Sequence, residues 1–362
     1  MQKVRIGILG CGRISNTYIT NITEKFSDTL EIVACSDLIE DVAQSAASKC
    51  LGSRAISYEE MLANDEVEVV LNLTNSWAHY ETSRQALEAG KHVYSEKTLT
   101  LDREQAHQLV SLAKHKNLLI GGAPDTFMGA GMQGVRELID NGELGKIYYV
   151  NTFIGMNASH PNYASKRHGG MLFDMGPYYV AGLVNLFGPV KRVSGISKKL
   201  YEKRTFGDQE FEVEIPSTST AVLEFESGVL ANFTTSSDTI YYIPKFEIFG
   251  TLGNISANDP NHFSGEIKVQ YLGKDVETIP ITHPFESNYR GIGLVDMARV
   301  LRAGAGAGAS GESGKFRANG EMACHLVDVL QSVWKSSDTG RAIDIKYSCE
   351  RPASVPIDGK LG

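Results

Sequence analysis

The chain has no paired cysteines, no metal-ligand spacing, no basic cluster and no long apolar run, and each absence removes a class of function. Its five cysteines, Cys11, Cys35, Cys50, Cys324 and Cys349, are odd in number, far apart and never in a C-x-x-C arrangement. They read as reduced thiols, not as a disulfide framework. None of the nine histidines stands in H-E-x-x-H or a comparable pattern, so no metal site is expected. The formal net charge of −8 is spread along the chain, which leaves a phosphate backbone no electrostatic footprint and makes nucleic acid an unexpected partner. No apolar stretch approaches the ~18 residues of a membrane span. Met1-Gln2-Lys3-Val4 enters a strand almost at once, with no room for a secretory leader. The expectation is a soluble, cytoplasmic protein.

With 362 residues, 42% of them hydrophobic, the chain is long enough for two cores, since single cores rarely grow beyond roughly 250–300 residues. Residues 3–9, KVRIGIL, read as a buried strand running into Gly10-Cys11-Gly12-Arg13-Ile14-Ser15, with a helix to about Lys25. This is G-x-G-x-x-S, a weak match on its own. The next strand, LEIVACSD, ends at Asp37, 22 residues after Ser15, near the offset at which a carboxylate meets a ribose hydroxyl in a dinucleotide site. Gly10 then permits the tight turn and Gly12 the approach of a pyrophosphate. The first helical residues, Arg13 and Ile14, offer N–H groups to its charge. Asp37 accepts from ribose hydroxyls and repels a 2′-phosphate, and residue 38 is Leu, not Arg, so NAD is expected over NADP.

Strands and helices keep alternating through VEVVLNL (67–73), a helix from about Trp77 to Ala89, KHVYS (91–95), a helix begun by Asp102 and Gln105, and LLIGG (118–122). Such a run predicts a doubly wound parallel sheet with helices on both faces and ligands beyond the strands' carboxyl ends. Thr74-Asn75, Glu96-Lys97 and Asp125-Thr126 all follow predicted strand ends. Thr74 and Asn75 serve equally well as caps of the next helix or as cofactor contacts. From Ile147 the texture becomes strand-rich, with period-two alternation and a hairpin turn at Gly228, followed by helices over about 287–302 and 320–335. Both helices are assigned to the second sheet. Between them, AGAGAGASGESGKF lacks apolar groups to bury and is expected to be a mobile surface loop. The division expected is a Rossmann domain over 1–123 and an α+β domain with a large, mostly antiparallel open sheet over 124–362.

Three motifs, GILGCGRIS at the start, ALEAGKHVYSEKTLT with its Glu96-Lys97 pair, and GGMLFDMGPYY over 169–179, resemble those of the glucose-fructose oxidoreductase, inositol dehydrogenase and MocA family. The resemblance runs over nearly the whole chain. It implies an NAD-dependent dehydrogenase or reductase acting on a sugar or cyclic polyol, assembled as a homodimer or homotetramer through the second sheet. Lys97 would contact both the nicotinamide end of the cofactor and the reacting hydroxyl, Tyr178 would transfer the proton, made competent by the Lys97 ammonium, and Asp174 would hold substrate or balance charge. Glu96 would orient the ammonium or the cofactor, and His79 becomes a cofactor neighbour. Asp125, His160, Arg167 and His168 join Lys97, Asp174 and Tyr178 as candidate substrate contacts. Two departures stand out: the family's Glu-Lys-Pro reads Glu96-Lys97-Thr98, and its Asp-x-Gly-x-His reads Asp174-Met175-Gly176-Pro177-Tyr178, which excludes an imidazole base at that position. On the residues alone, Asp174 serves equally as a helix N-cap with Pro177 in the first turn. Two other functions fit the same fold: an enzyme that keeps NAD bound and uses it transiently, of glycosidase or epimerase type, and a nonenzymatic ligand-sensing regulator.

Overall fold

The computed structural model describes residues 2–304 and 315–361, so most of the Ala/Gly/Ser tract expected to be a mobile loop lies outside the described residues. Six short strands, β1 (Val4–Leu9), β2 (Leu30–Ser36), β3 (Arg54–Ala55), β4 (Val69–Asn72), β5 (His92–Ser95) and β6 (Ile120–Gly122), form one sheet. Its order is β3-β2-β1-β4-β5-β6 with every pairing parallel, the doubly wound arrangement of a dinucleotide fold. Strand order reverses between β1 and β4, so the residues after Leu9 and Asn72 flank the switch point. Near-continuous burial of β1 and β4 is what a parallel sheet covered on both faces requires.

The helices between these strands are α1 (Arg13–Glu24), α2 (Glu40–Ala47), α3 (Tyr58–Ala63), α4 (His79–Glu88) and α5 (Arg103–His115). In α1 the buried residues Ser15, Tyr18, Ile19 and Ile22 recur at helical spacing. Asp102 caps α5 by accepting from the Gln105 N–H at 3.0 Å.

Beyond β6 lie α6 (Ala130–Asp140), β7 (Ile147–Asn157), α7 (Gly170–Phe187), then β8 (Val190–Lys198), β9 (Lys203–Phe206), β10 (Gln209–Glu212), β11 (Thr218–Phe225), β12 (Leu230–Ser236), β13 (Asp238–Gly250), β14 (Gly253–Ser256), β15 (Ile267–Tyr271) and β16 (Val276–Ile279). Then α8 (Ile292–Arg302), α9 (Gly320–Thr339) and β17 (Ile343–Asp344) complete the chain. Nine strands form a sheet in the order β16-β15-β14-β13-β7-β12-β11-β8-β17. Only β7 with β12 is parallel; the rest is antiparallel. Gly228, at φ +85°, makes the β11–β12 turn where the sequence puts it. One face of this sheet is apolar and buried through Val150, Ile154, Leu223, Phe233 and Ile248.

The chain forms two compact units, residues 1–125 with 289–324 and 361–362, and residues 126–288 with 325–360. Residues 289–324, assigned from sequence to the second sheet, therefore group with the parallel one. Two charged anchors explain why. Asp125 Oδ2 accepts from Gly291 N at 2.8 Å and Gly293 N at 3.2 Å, placing a carboxylate at the positive end of α8. At the far end of α8, Arg302 forks onto both Glu68 oxygens at 2.7 Å. Among the described residues no helix is long and apolar enough to cross a membrane.

The sequence option that starts a helix at Asp174 is corrected by α7, which begins at Gly170 after Gly169 turns at φ +76°. Pro177 consequently lies in the helix interior, where it removes one backbone bond and costs about 3 kcal/mol. Burial of seventeen of the eighteen α7 residues offsets that cost.

Candidate active site

Gly10 has φ +88°, and a Cβ there would come within 2.8 Å of Leu73 and the Thr74 nitrogen. The turn and the close approach of the first loop to the end of β4 therefore both require glycine. A Cβ at Gly12 would instead meet no atom within 4 Å, so the space above it is open. Gly12 begins α1 with no side-chain cap, leaving first-turn N–H groups to be completed by an anion. The Ser15 hydroxyl donates to the Gly12 carbonyl at 2.7 Å and so fits where a third glycine would be expected. Asp37 Oδ2 accepts from Cys11 N at 2.7 Å and Oδ1 from Ile39 N at 3.0 Å, tying the glycine loop to the end of β2. An open cradle, an uncapped helix start and a carboxylate after β2 fit a dinucleotide: Gly10, Gly12, Arg13 and Ile14 would hold the pyrophosphate and Asp37 the ribose.

At the end of β4, Asn72 Oδ1 accepts from the Thr74 hydroxyl at 2.7 Å, and its amide donates to Thr82 and Ser83. Asn75 is exposed beside it. His79, the first residue of α4, is buried. Its Nδ1 stands 2.6 Å from the Thr98 carbonyl and its Nε2 2.9 Å from the Thr74 carbonyl. Burial holds its pKa below the ordinary imidazole value despite those two acceptors.

At the end of β5, the Glu96 carboxylate turns inward. Oε1 accepts from the Tyr18 hydroxyl at 2.9 Å and lies 3.8 Å from Arg290 Nη1, while Oε2 accepts from the Lys97 backbone N–H at 2.9 Å. Glu96 thus grips the lysine's main chain, where the sequence reading expected it to orient the ammonium or the cofactor. Lys97 is half-buried, and the Lys97–Thr98 bond is cis, as is Ala123–Pro124. Asp125 is fully buried as the anchor of α8, and burial raises its pKa. Its placement as a substrate contact is therefore corrected: with no exposed surface, Oδ2 held by two backbone amides and Oδ1 buried without a partner, Asp125 serves as an anchor of α8.

In the second unit, Asp174 and Tyr178 lie one turn apart on α7, and the Tyr163 hydroxyl donates to Asp174 Oδ2 at 2.9 Å. Tyr178 is 5% exposed. His160 is exposed and caps a short 3₁₀ turn by accepting from Asn162 N at 3.2 Å. Arg167 is exposed and His168 half-buried. Burial, then the Arg167 and His160 charges, hold the His168 pKa below its usual value, and its Nδ1 is buried without a partner. His160, Arg167 and His168 all stand in the segment that leads into α7. Sequence reading missed Tyr18, Asn72, Tyr163 and Arg290. Tyr163 alone carried a local signal, as an aromatic close before the glycine pair.

Residues 4–121 match the family model described as an oxidoreductase family with an NAD-binding Rossmann fold, and residues 132–256 match the GFO/IDH/MocA C-terminal domain. A dTDP-3,4-didehydro-2,6-dideoxy-alpha-D-glucose 3-reductase from Saccharopolyspora spinosa is 27% identical, covering 86% of this chain and 93% of the relative. A trans-1,2-dihydrobenzene-1,2-diol dehydrogenase from Bos taurus is 25% identical over 83% of this chain and 88% of its own. Among solved structures, the WlbA dehydrogenase from Bordetella pertussis, in complex with NADH and UDP-GlcNAcA, shares the fold at a TM-score of 0.77. It is 22% identical, with 95% of this chain and 99% of that one covered.

Proposed function

Because this chain belongs to the GFO/IDH/MocA family of NAD-dependent oxidoreductases, we propose that it transfers a hydride between NAD and a hydroxyl-bearing carbon of a sugar or cyclic polyol. The observation that carries the reading is Lys97, half-buried at the carboxyl edge of the parallel sheet that also presents the open Gly12 cradle, with its backbone held by a buried carboxylate. The names of the two relatives, a hexose 3-reductase and a cyclic diol dehydrogenase, support the substrate class.

NAD, when bound, supplies the hydride acceptor or donor. The chain's own residues orient the reacting oxygen and move its proton. Lys97 donates to that oxygen, and Tyr178 takes the hydroxyl proton. A free tyrosine, with a pKa of about 10, is a poor base near neutrality, so a cation is needed to favour its phenolate, the part proposed for the Lys97 ammonium. Tyr163 fixes the Asp174 carboxylate one turn before Tyr178, where it orients a substrate hydroxyl. A panel of sugars and cyclic polyols, followed by NADH absorbance, tests the proposal. With the substrate it identifies, Lys97→Ala and Tyr178→Phe are each expected to lower kcat by roughly 10²–10⁴. Tyr178→Phe should leave NAD affinity nearly intact, and Lys97→Ala should weaken it. Near-normal turnover by Tyr178→Phe would send the proton by another route, with His160, His168 or Asp174 next in line.

We further propose self-association through the open face of the nine-stranded sheet. Ile196, Val222, Leu230 and Tyr149 are exposed on β8, β11, β12 and β7. Across the same sheet Asn232 donates to Asn151 and Asn151 to Glu247, both at 2.9 Å. An apolar face with an internally satisfied polar row is suited to a second copy of the same chain.

A further inference from the structure

The family resemblance makes His79 a cofactor neighbour, yet both of its ring nitrogens face the protein. The ring is 1% exposed, and each nitrogen faces a carbonyl oxygen of the protein, Thr98 at 2.6 Å and Thr74 at 2.9 Å. Thr98 follows Lys97 directly. On the other side of the lysine, Glu96 Oε2 takes the Lys97 N–H at 2.9 Å, and its second oxygen is held by Tyr18 and faced by Arg290. Two buried side chains, from α4 and from the end of β5, therefore fix the main chain on both sides of one half-buried lysine.

We infer that His79 is a positioning residue for Lys97, acting with the Tyr18–Glu96–Arg290 set as a clamp on the lysine's backbone. Its importance for turnover rests on the reading of Lys97 given above. A side chain on a long flexible stem delivers its ammonium reproducibly only if its Cα does not move, and misplacement by 1 Å can cost about 10²-fold in rate. The neutral ring has one N–H, and the shorter contact assigns it to Nδ1, donating to Thr98. That assignment separates two conservative replacements. The amide nitrogen of Asn reproduces the position of Nδ1, and that of Gln the position of Nε2.

The test uses the full-length protein without substrate. Lysines are reductively methylated with ¹³C-formaldehyde, the Lys97 signal is identified by its absence in Lys97→Arg, and amide exchange of Lys97 is followed by mass spectrometry. His79→Asn is expected to keep the Lys97 signal at its wild-type position, whereas His79→Gln and His79→Ala displace or broaden it. Tyr18→Phe, which deletes only the hydroxyl that holds Glu96, is expected to speed exchange of the Lys97 amide by about tenfold while core amides stay protected. The inference is overturned if Asn and Gln at position 79 behave alike, or if the Lys97 signal and amide are unchanged in all of these folded variants. Should Lys97→Ala retain turnover while the His79 variants displace the signal, the catalytic reading falls and the clamp stands.

Discussion

At Asp37 the carboxylate already accepts two backbone amides, Cys11 through Oδ2 and Ile39 through Oδ1, so its charge is fixed in place before a nucleotide arrives. A 2′-phosphate brought to the same point meets that charge with no arginine after it, since Leu38 follows and is fully exposed. Close like charges cost on the order of a few kcal/mol at an effective dielectric near 20, which corresponds to NADP binding weaker than NAD by about 100-fold. Titration calorimetry with both nucleotides measures the ratio, and equal or tighter NADP binding contradicts the assignment. Asp37→Ser is expected to narrow the ratio and also to weaken NAD, because the same carboxylate ties down the glycine loop.

Among single elements, β5 carries a pH-sensitive residue. His92 Nδ1 accepts the Leu119 N–H at 2.8 Å, a role open only to a neutral ring, and burial pushes its pKa down to about 4. In the unfolded chain the imidazole protonates near 6.5. The stabilisation is thus complete above pH 6.5, and it is lost as pH falls from there toward 4, by up to about 3 kcal/mol. Denaturant unfolding of the wild type and His92→Asn across that window checks this. The difference between the two curves should shrink as pH falls, and parallel curves would refute it. Elements of this kind were largely legible in the sequence. The βαβ alternation, the glycine turn and the Asp37 offset all depend on neighbours in the chain. The start of α7 was not legible, because Pro177 read as a first-turn residue and only burial of nearly the whole helix makes its interior place tolerable. The β9–β10 hairpin escaped notice because KRTF and QEFE are charged and lack apolar alternation. Asp125 was found as a residue and misread as to direction, and the inward contacts of Glu96 were not foreseen. A carboxylate after a strand looks the same in sequence whether it turns to a ligand or to Tyr18, 78 positions away.

For the molecule as a whole, sedimentation velocity at micromolar concentration is expected to give a dimer or tetramer. Val222→Asp, on the exposed row of β11, is expected to shift it toward monomer without loss of folding; a wild-type monomer removes the proposal. The partition of the chain carries a different consequence, for biosynthesis. The parallel-sheet unit needs α8, through the Asp125 and Arg302 anchors, and it draws on residues as far as Cys324. Translation at about 5–20 residues per second places the roughly 200 residues between Asp125 and Cys324 on the order of 10–40 s apart. A nascent chain on the ribosome therefore carries its glycine loop and first five helices as an unfinished body until the segment up to Cys324 has been made. The last stage of that unit's folding waits for a segment made roughly 200 residues after Asp125.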